Sequence, residues 1–138
     1  MSQEDVDRLR AAYEAYNRRG VEAVFELIDP DFEAETAPEL SAEPDVYRGY
    51  EGIRRYFSSF EEVMEGIRFE PEEFIDAGDR IVVPFRLSAI GRGTGIRVEQ
   101  RAFGVWTMRN GKAVGLKTYA DRAQALEAAV FTSRTALG

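Results

Sequence analysis

Val6, Leu9, Tyr13 and Tyr16 recur at three- and four-residue spacings, which puts them on one face of an amphipathic helix. Ser2 followed by Asp5 resembles a cap at its start, and Gly20 suits the left-handed turn that ends a helix. Val21, Val24, Phe25 and Ile28 form a second, shorter apolar face closed by Asp29-Pro30. Phe32 to Thr36 alternates apolar and polar residues and predicts a short strand. Ala37 to Arg48, with Pro38 and Pro44, is expected to be irregular and to rim a cavity mouth. Tyr50 to Met64 predicts a third helix whose stripe of Ile53, Tyr56, Phe57, Phe60, Val63 and Met64 is ended by Gly66.

The pattern then changes from a period near 3.6 to a period of 2. Arg68 to Asp76, Arg80 to Ser88, Ile96 to Arg109 and Lys112 to Tyr119 read as strands, joined by a tight turn at Ala77-Gly78, a loop over 90–95, and Asn110-Gly111. The last pair favours the mirror-image turn whose twist suits a hairpin. Asp121 with Gln124 caps a helix through Ala129, and Ser133 to Gly138 is expected to fray or to serve a subunit contact. Ile81, Val83, Phe85 and Leu87 alternate with Val82 and Pro84, so apolar groups occupy both faces of the sheet. A face with no helix over it needs another cover, which predicts a homodimer packed through the outer face of the sheet.

Composition narrows the chemistry. With 138 residues and 44% hydrophobic content, the chain fits one domain. A formal charge of -7 makes a phosphate-rich polymer a poor partner, so nucleic acid is not expected. There is no cysteine and no histidine, which removes thiol nucleophiles, imidazole bases and the ligands zinc prefers. Oxygen-only sites for magnesium or calcium stay open on composition, although no metal and no cofactor is expected. The acidic start Met1-Ser2-Gln3-Glu4-Asp5 and the lack of any long apolar run predict a soluble, cytoplasmic protein that does not enter a membrane.

Few residues suggest reactivity. Gly91-Arg92-Gly93-Thr94-Gly95 lacks the lysine of a phosphate-binding loop and precedes a strand, so it reads as a hairpin loop. Arg48, Arg54 and Arg55 interleave with Tyr47, Tyr50 and Tyr56 on what reads as a solvated helix face. Glu33, Glu35, Glu99 and Asp79 lie on or beside strands, and Glu99 shares a strand face with Arg101. An arginine set between two carboxylates can polarise a leaving oxygen while one carboxylate activates water. A surface or dimer-interface ion pair explains the same residues.

Tyr13 to Phe32 (YEAYNRRGVEAVFELIDPDF), Tyr47 to Phe57 (YRGYEGIRRYF) and Val105 to Tyr119 (VWTMRNGKAVGLKTY), in this order, resemble the nuclear transport factor 2-like superfamily in its SnoaL-like and ketosteroid isomerase-like branch. The resemblance covers about residues 3–130 and implies a single SnoaL-like domain over 1–138, with 131–138 as a tail. It implies a cone-shaped α+β fold of the cystatin-like type: a curved, mixed, mostly antiparallel sheet wrapped around N-terminal helices, with an apolar pocket between them. The family's isomerases carry a tyrosine, an aspartate base and a protonated aspartate at positions that fall on Ala12, Thr36 and Gly104, with Tyr13 one residue off. All three expected groups are missing. The match turns Gln100, Ala102, Trp106, Leu116 and Thr118 toward the pocket and Phe103, Val105, Lys117 and Tyr119 away. Candidate ligand-binding residues are therefore Tyr13, Tyr16, Thr36, Phe57, Phe60, Gln100, Trp106 and Thr118, for a small apolar or aromatic molecule. The alternative is an isomerase, cyclase or epoxide-type hydrolase using Asp, Glu, Arg and Tyr; Glu99, Arg101 and Asp79 are the nearest approach to the aspartate-arginine-aspartate set of the family's epoxide hydrolases.

Overall fold

Helix α1 (Ser2–Arg19) buries Val6, Leu9, Ala15 and Tyr16, the face its spacing predicts. The computed structural model describes residues 2–37, 40 and 45–137, with side chains described over 3–37, 40 and 45–130. The helix ends at Gly20, whose N–H reaches the Tyr16 carbonyl at 2.8 Å. The short apolar face that follows is a single 3-10 turn, Val21–Val24, and Ile28 already belongs to strand β1 (Ile28–Thr36). Pairing with Ala113 across the sheet outweighs the helical spacing of Ile28. Asp29-Pro30 falls in the irregularity between Ile28 and Glu33, where a proline sacrifices no ladder hydrogen bond.

The segment expected to be irregular holds one more strand, β2 (Val46–Arg48), antiparallel to β1 with Ala34 opposite Tyr47. Pro38 and Pro44 lie outside the described residues. Helix α2 (Gly49–Glu61) stops short of Met64, which enters strand β3 (Met64–Pro71) opposite Gly91. Gly66, at φ 63°, sits in the bulge between Glu65 and Arg68 and does not end the helix. The single strand expected over 68–76 is two, since β4 (Ile75–Ala77) resumes after a break. Strands β5 (Arg80–Gly91), β6 (Arg97–Arg109) and β7 (Lys112–Tyr119) follow, then helix α3 (Arg122–Leu137). Asp121 caps α3 through the Ala123 N–H at 3.0 Å, and the helix continues past Ala129.

The strands form one sheet in the order β2-β1-β7-β6-β5-β3, with β4 also on β5. Among the described residues only β1 and β7 run parallel; the remaining pairs are antiparallel. This mixed, mostly antiparallel sheet wraps around the N-terminal helices in a cone-shaped α+β fold. Ile81 and Val83 point to the main core with Leu9, Phe32, Tyr47 and Ile53. Val82 and Val105 point outward, where Ala125 and Ala129 of α3 pack on them with Phe103 and Tyr119. Beyond α3 the outer face carries ion pairs, Arg86 with Glu70 at 3.3 Å and Arg101 with Glu72 at 2.6 Å. Helix α3 thus covers the Val82–Val105 part of the outer face, the face through which a homodimer was expected to pack.

β3 is an edge strand, and its open backbone is occupied by a side chain. The Asn17 amide donates to the Phe69 carbonyl at 2.8 Å and accepts from the Phe69 N–H at 2.9 Å, imitating a strand partner and tying α1 to the sheet. Asn17→Ala leaves both partly buried backbone groups unpaired. A loss of about 1–3 kcal/mol in urea unfolding is expected, and an unchanged midpoint and slope would contradict this role.

Candidate ligand cavity

Aromatic rings fill the space between helices and sheet without closing it. Trp106 meets Tyr13 edge-on with centroids 6.1 Å apart, Tyr13 lies 6.5 Å from Phe85, and Phe85 lies 5.6 Å from Phe69. The chain of contacts continues from Phe69 to Phe57 at 6.0 Å, from Phe57 to Tyr56 at 5.3 Å and from Tyr56 to Phe60 at 5.1 Å. Edge-to-face pairs at these distances are favourable and stiff. They surround a cavity of about 100 Å³ that Ala12, Leu27, Phe32, Ile53, Ala102 and Leu116 help to line. Gln100 is exposed and marks its mouth.

Gly104 shapes the wall. A Cβ at this position would lie 3.2 Å from Leu116 Cδ1 and 3.4 Å from Trp106 Nε1, so the indole occupies the room a side chain would take. From there the indole N–H donates to the Tyr13 hydroxyl at 3.2 Å. Opposite Gly104 on β7 stands Thr118. Thr118 and Thr36, paired across β7 and β1, both hydrogen-bond the Tyr56 hydroxyl, Thr36 at 2.6 Å. Two hydrogen-bonded polar clusters, Tyr13 with Trp106 and Tyr56 with the two threonines, thus stand in a largely apolar wall, beside Tyr16 and, at the mouth, Gln100.

Burial raises the pKa of all three phenols. For Tyr13 desolvation dominates, the Trp106 hydrogen bond opposes it and the nearby Tyr56 adds to it. Tyr16 is raised by desolvation and then by Glu61; Tyr56 by desolvation, against its threonine hydrogen bonds. All three stay protonated through the physiological range.

The family model of the SnoaL-like domain matches residues 9–116. The chain belongs to the SnoaL-like family. Among solved structures, a nuclear transport factor 2-like protein of unknown function from Burkholderia pseudomallei is 22% identical, with a TM-score of 0.76 over 92% of this chain and 97% of that one. A nuclear transport factor 2-like protein from Burkholderia thailandensis is 28% identical, with a TM-score of 0.75 over 88% and 96%. TerC, co-crystallised with polyporic acid, is 25% identical, with a TM-score of 0.76 over 91% and 98%. No curated protein matches the chain.

Within this SnoaL-like cavity the eight candidate residues, Tyr13, Tyr16, Thr36, Phe57, Phe60, Gln100, Trp106 and Thr118, all lie on the wall. Tyr13 and its neighbour Ala12 both reach it, so the one-residue offset from the isomerase tyrosine does not remove the phenol. Glu99, Arg101 and Asp79 are not brought together. Glu99 pairs with Arg97 at 3.2 Å, Arg101 with Glu72, and Asp79 with Arg80 at 3.1 Å. Arg80 pairs with Thr107 and Arg86 with Arg101, so Asp79 and Arg101 sit toward opposite ends of β6. Glu33 and Glu35 are likewise surface partners, of Arg48 and Lys117.

Sequence reasoning missed Tyr56 as a polar group of the wall, and Phe69, Phe85 and Leu87 as lining. A signal for Tyr56 existed, because a tyrosine inside an apolar helix stripe needs a partner for its hydroxyl. Arg54 and Arg55 are exposed and paired, Arg54 with Glu22 and Glu51 and Arg55 with Asp45. The 91–95 loop closes on itself through Gly95 N–H to Gly91 carbonyl at 3.0 Å, a hairpin loop. Among the described residues no cluster of three acidic side chains is placed to hold a metal ion. Nor is any helix there long and apolar enough to cross a membrane.

The raised phenol pKa values fix a sign. The folded chain holds these protons more tightly than the unfolded chain, whose tyrosines titrate near 10.0. Stability is complete below that pH and falls as pH rises through it. Denaturant midpoints should decline steeply above about pH 10, and less steeply for Tyr13→Phe. Equal slopes for the two proteins would contradict the burial of this phenol.

Proposed function

We propose that this protein binds a compact apolar or aromatic molecule in the cavity between its helices and the concave sheet. The wall carries this reading: Phe57, Phe60, Trp106 and their neighbours line about 100 Å³, with no charged side chain among the described lining residues. Apolar chambers of this order take up single-ring guests, about 150 Å³ being room enough for benzene. Burying roughly 150 Å² of ring surface at about 25 cal/mol per Å² yields roughly 4 kcal/mol, a Kd near 1 mM before any polar contact. TerC, the 25% identical neighbour co-crystallised with polyporic acid, adds support from a related fold in the company of a small molecule.

The alternative, an isomerase, cyclase or epoxide-type hydrolase, needs a cavity group that exchanges a proton near neutral pH. The phenols on the wall are held protonated, and Glu99, Arg101 and Asp79 pair with other residues. Binding is the better supported reading. Toluene at millimolar concentration should raise the Tm of the native chain, and Ala102→Leu, which puts a larger side chain on the wall, should abolish that rise. A native chain whose Tm responds to no member of a panel of one-ring hydrocarbons would overturn the reading.

A further inference from the structure

The two hydrogen-bonded polar clusters of the cavity are neutral, lie on neighbouring strands and are held at one level of the sheet. Gly104 pairs directly with Thr118, and the Trp106 N–H lies over Gly104, so β6 and β7 present the indole and the threonine side by side. Directly opposed residues stand about 5 Å apart, which brings the positions within roughly one ring of each other. Two helices complete them, α1 through Tyr13 and α2 through Tyr56.

The hydrogen bonds leave capacity on both sides. Tyr13 accepts from Trp106, which frees its own proton to be donated and polarises it for that purpose. On the other side Tyr56, Thr36 and Thr118 share two hydrogen bonds among three hydroxyls. One proton and several lone pairs are left over. Among the described lining residues there is neither arginine nor lysine to neutralise an anion. An ionised guest would be buried without a counter-charge, which disfavours it strongly.

Resting on the binding reading above, we propose that Tyr13–Trp106 and Thr36–Tyr56–Thr118 form a two-ended recognition site for a single aromatic ring bearing uncharged oxygen groups. The site discriminates by the sign of one effect. In a purely apolar cavity an added oxygen loses its water partners and weakens binding; here it finds donors and acceptors at each end and strengthens it.

The test compares toluene, 4-methoxyphenol and 4-hydroxybenzoate by calorimetry at neutral pH, against the native chain, Tyr13→Phe and Thr118→Val. On the native chain 4-methoxyphenol should bind roughly three- to tenfold more tightly than toluene for each hydrogen bond made, and 4-hydroxybenzoate should not bind. Tyr13→Phe should weaken 4-methoxyphenol several-fold more than it weakens toluene. Thr118→Val should do the same from the other end and carries the test if Tyr13→Phe does not fold. Toluene binding with 4-methoxyphenol equal or weaker would overturn the two-ended site and leave the apolar cavity standing. Binding of 4-hydroxybenzoate as tight as that of 4-methoxyphenol would overturn the requirement for an uncharged guest. Failure of all three compounds would remove both the site and the binding reading on which it rests.

Discussion

The contact between Trp106 and Tyr13 holds the helix layer and the sheet at the distance on which the cavity depends. Two large rings meeting edge to face, with the indole N–H on the phenol oxygen, set a spacing that aliphatic side chains would collapse. The contact is possible because residue 104 is glycine and leaves the strand surface open beneath the indole. Phe32 braces the indole from β1 at 6.3 Å, and Phe74 braces Tyr13 at 6.3 Å from the segment between β3 and β4. A chamber framed by rings that rest on one another cannot shrink without breaking several of these contacts at once.

The same arrangement sorts the charges. The ion pairs described here, among them Arg101 with Glu72 and Arg54 with Glu22, lie on the outer surface, where each contributes little to stability. The cavity keeps hydroxyls, one indole and one amide. Thr36 and Gly104 each shape this wall. Thr36 anchors the Tyr56 hydroxyl, and Gly104 makes room for the indole. The wall among the described residues is neutral, and the charged groups stand outside it.

Much of this was legible from residue spacing. Val6, Leu9 and Tyr16 declare the buried face of α1, and Asn110-Gly111 declares the hairpin between β6 and β7, because both signals are local. The strand ends were less legible, since long-range pairing decides them. Ile28 looks helical beside Val24 but is claimed by Ala113, and Met64 looks like the end of α2 but is claimed by Gly91. β2 is too short to have a pattern of its own and exists because β1 offers it an edge. The cover over the outer face was missed because the buried residues that α3 sets against Val82 and Val105 are Ala125 and Ala129, with Leu126 partly buried beside them, and alanine is a weak sign of burial. In the cavity the inward direction of Gln100, Ala102 and Trp106 was implied by the family resemblance, whereas the bond between Trp106 and Tyr13 joins residues 93 positions apart.

Trp106 is the only tryptophan of the chain, so its indole N–H gives a single nuclear magnetic resonance signal at the centre of the cavity wall. Titration of the isotopically labelled protein with benzene should move this signal along a saturating curve, with through-space transfer between the benzene protons and the indole N–H. A signal that stays in place up to the solubility limit of benzene, or drifts in proportion to its concentration without saturating, would contradict the claim that the chamber beneath Trp106 takes a guest.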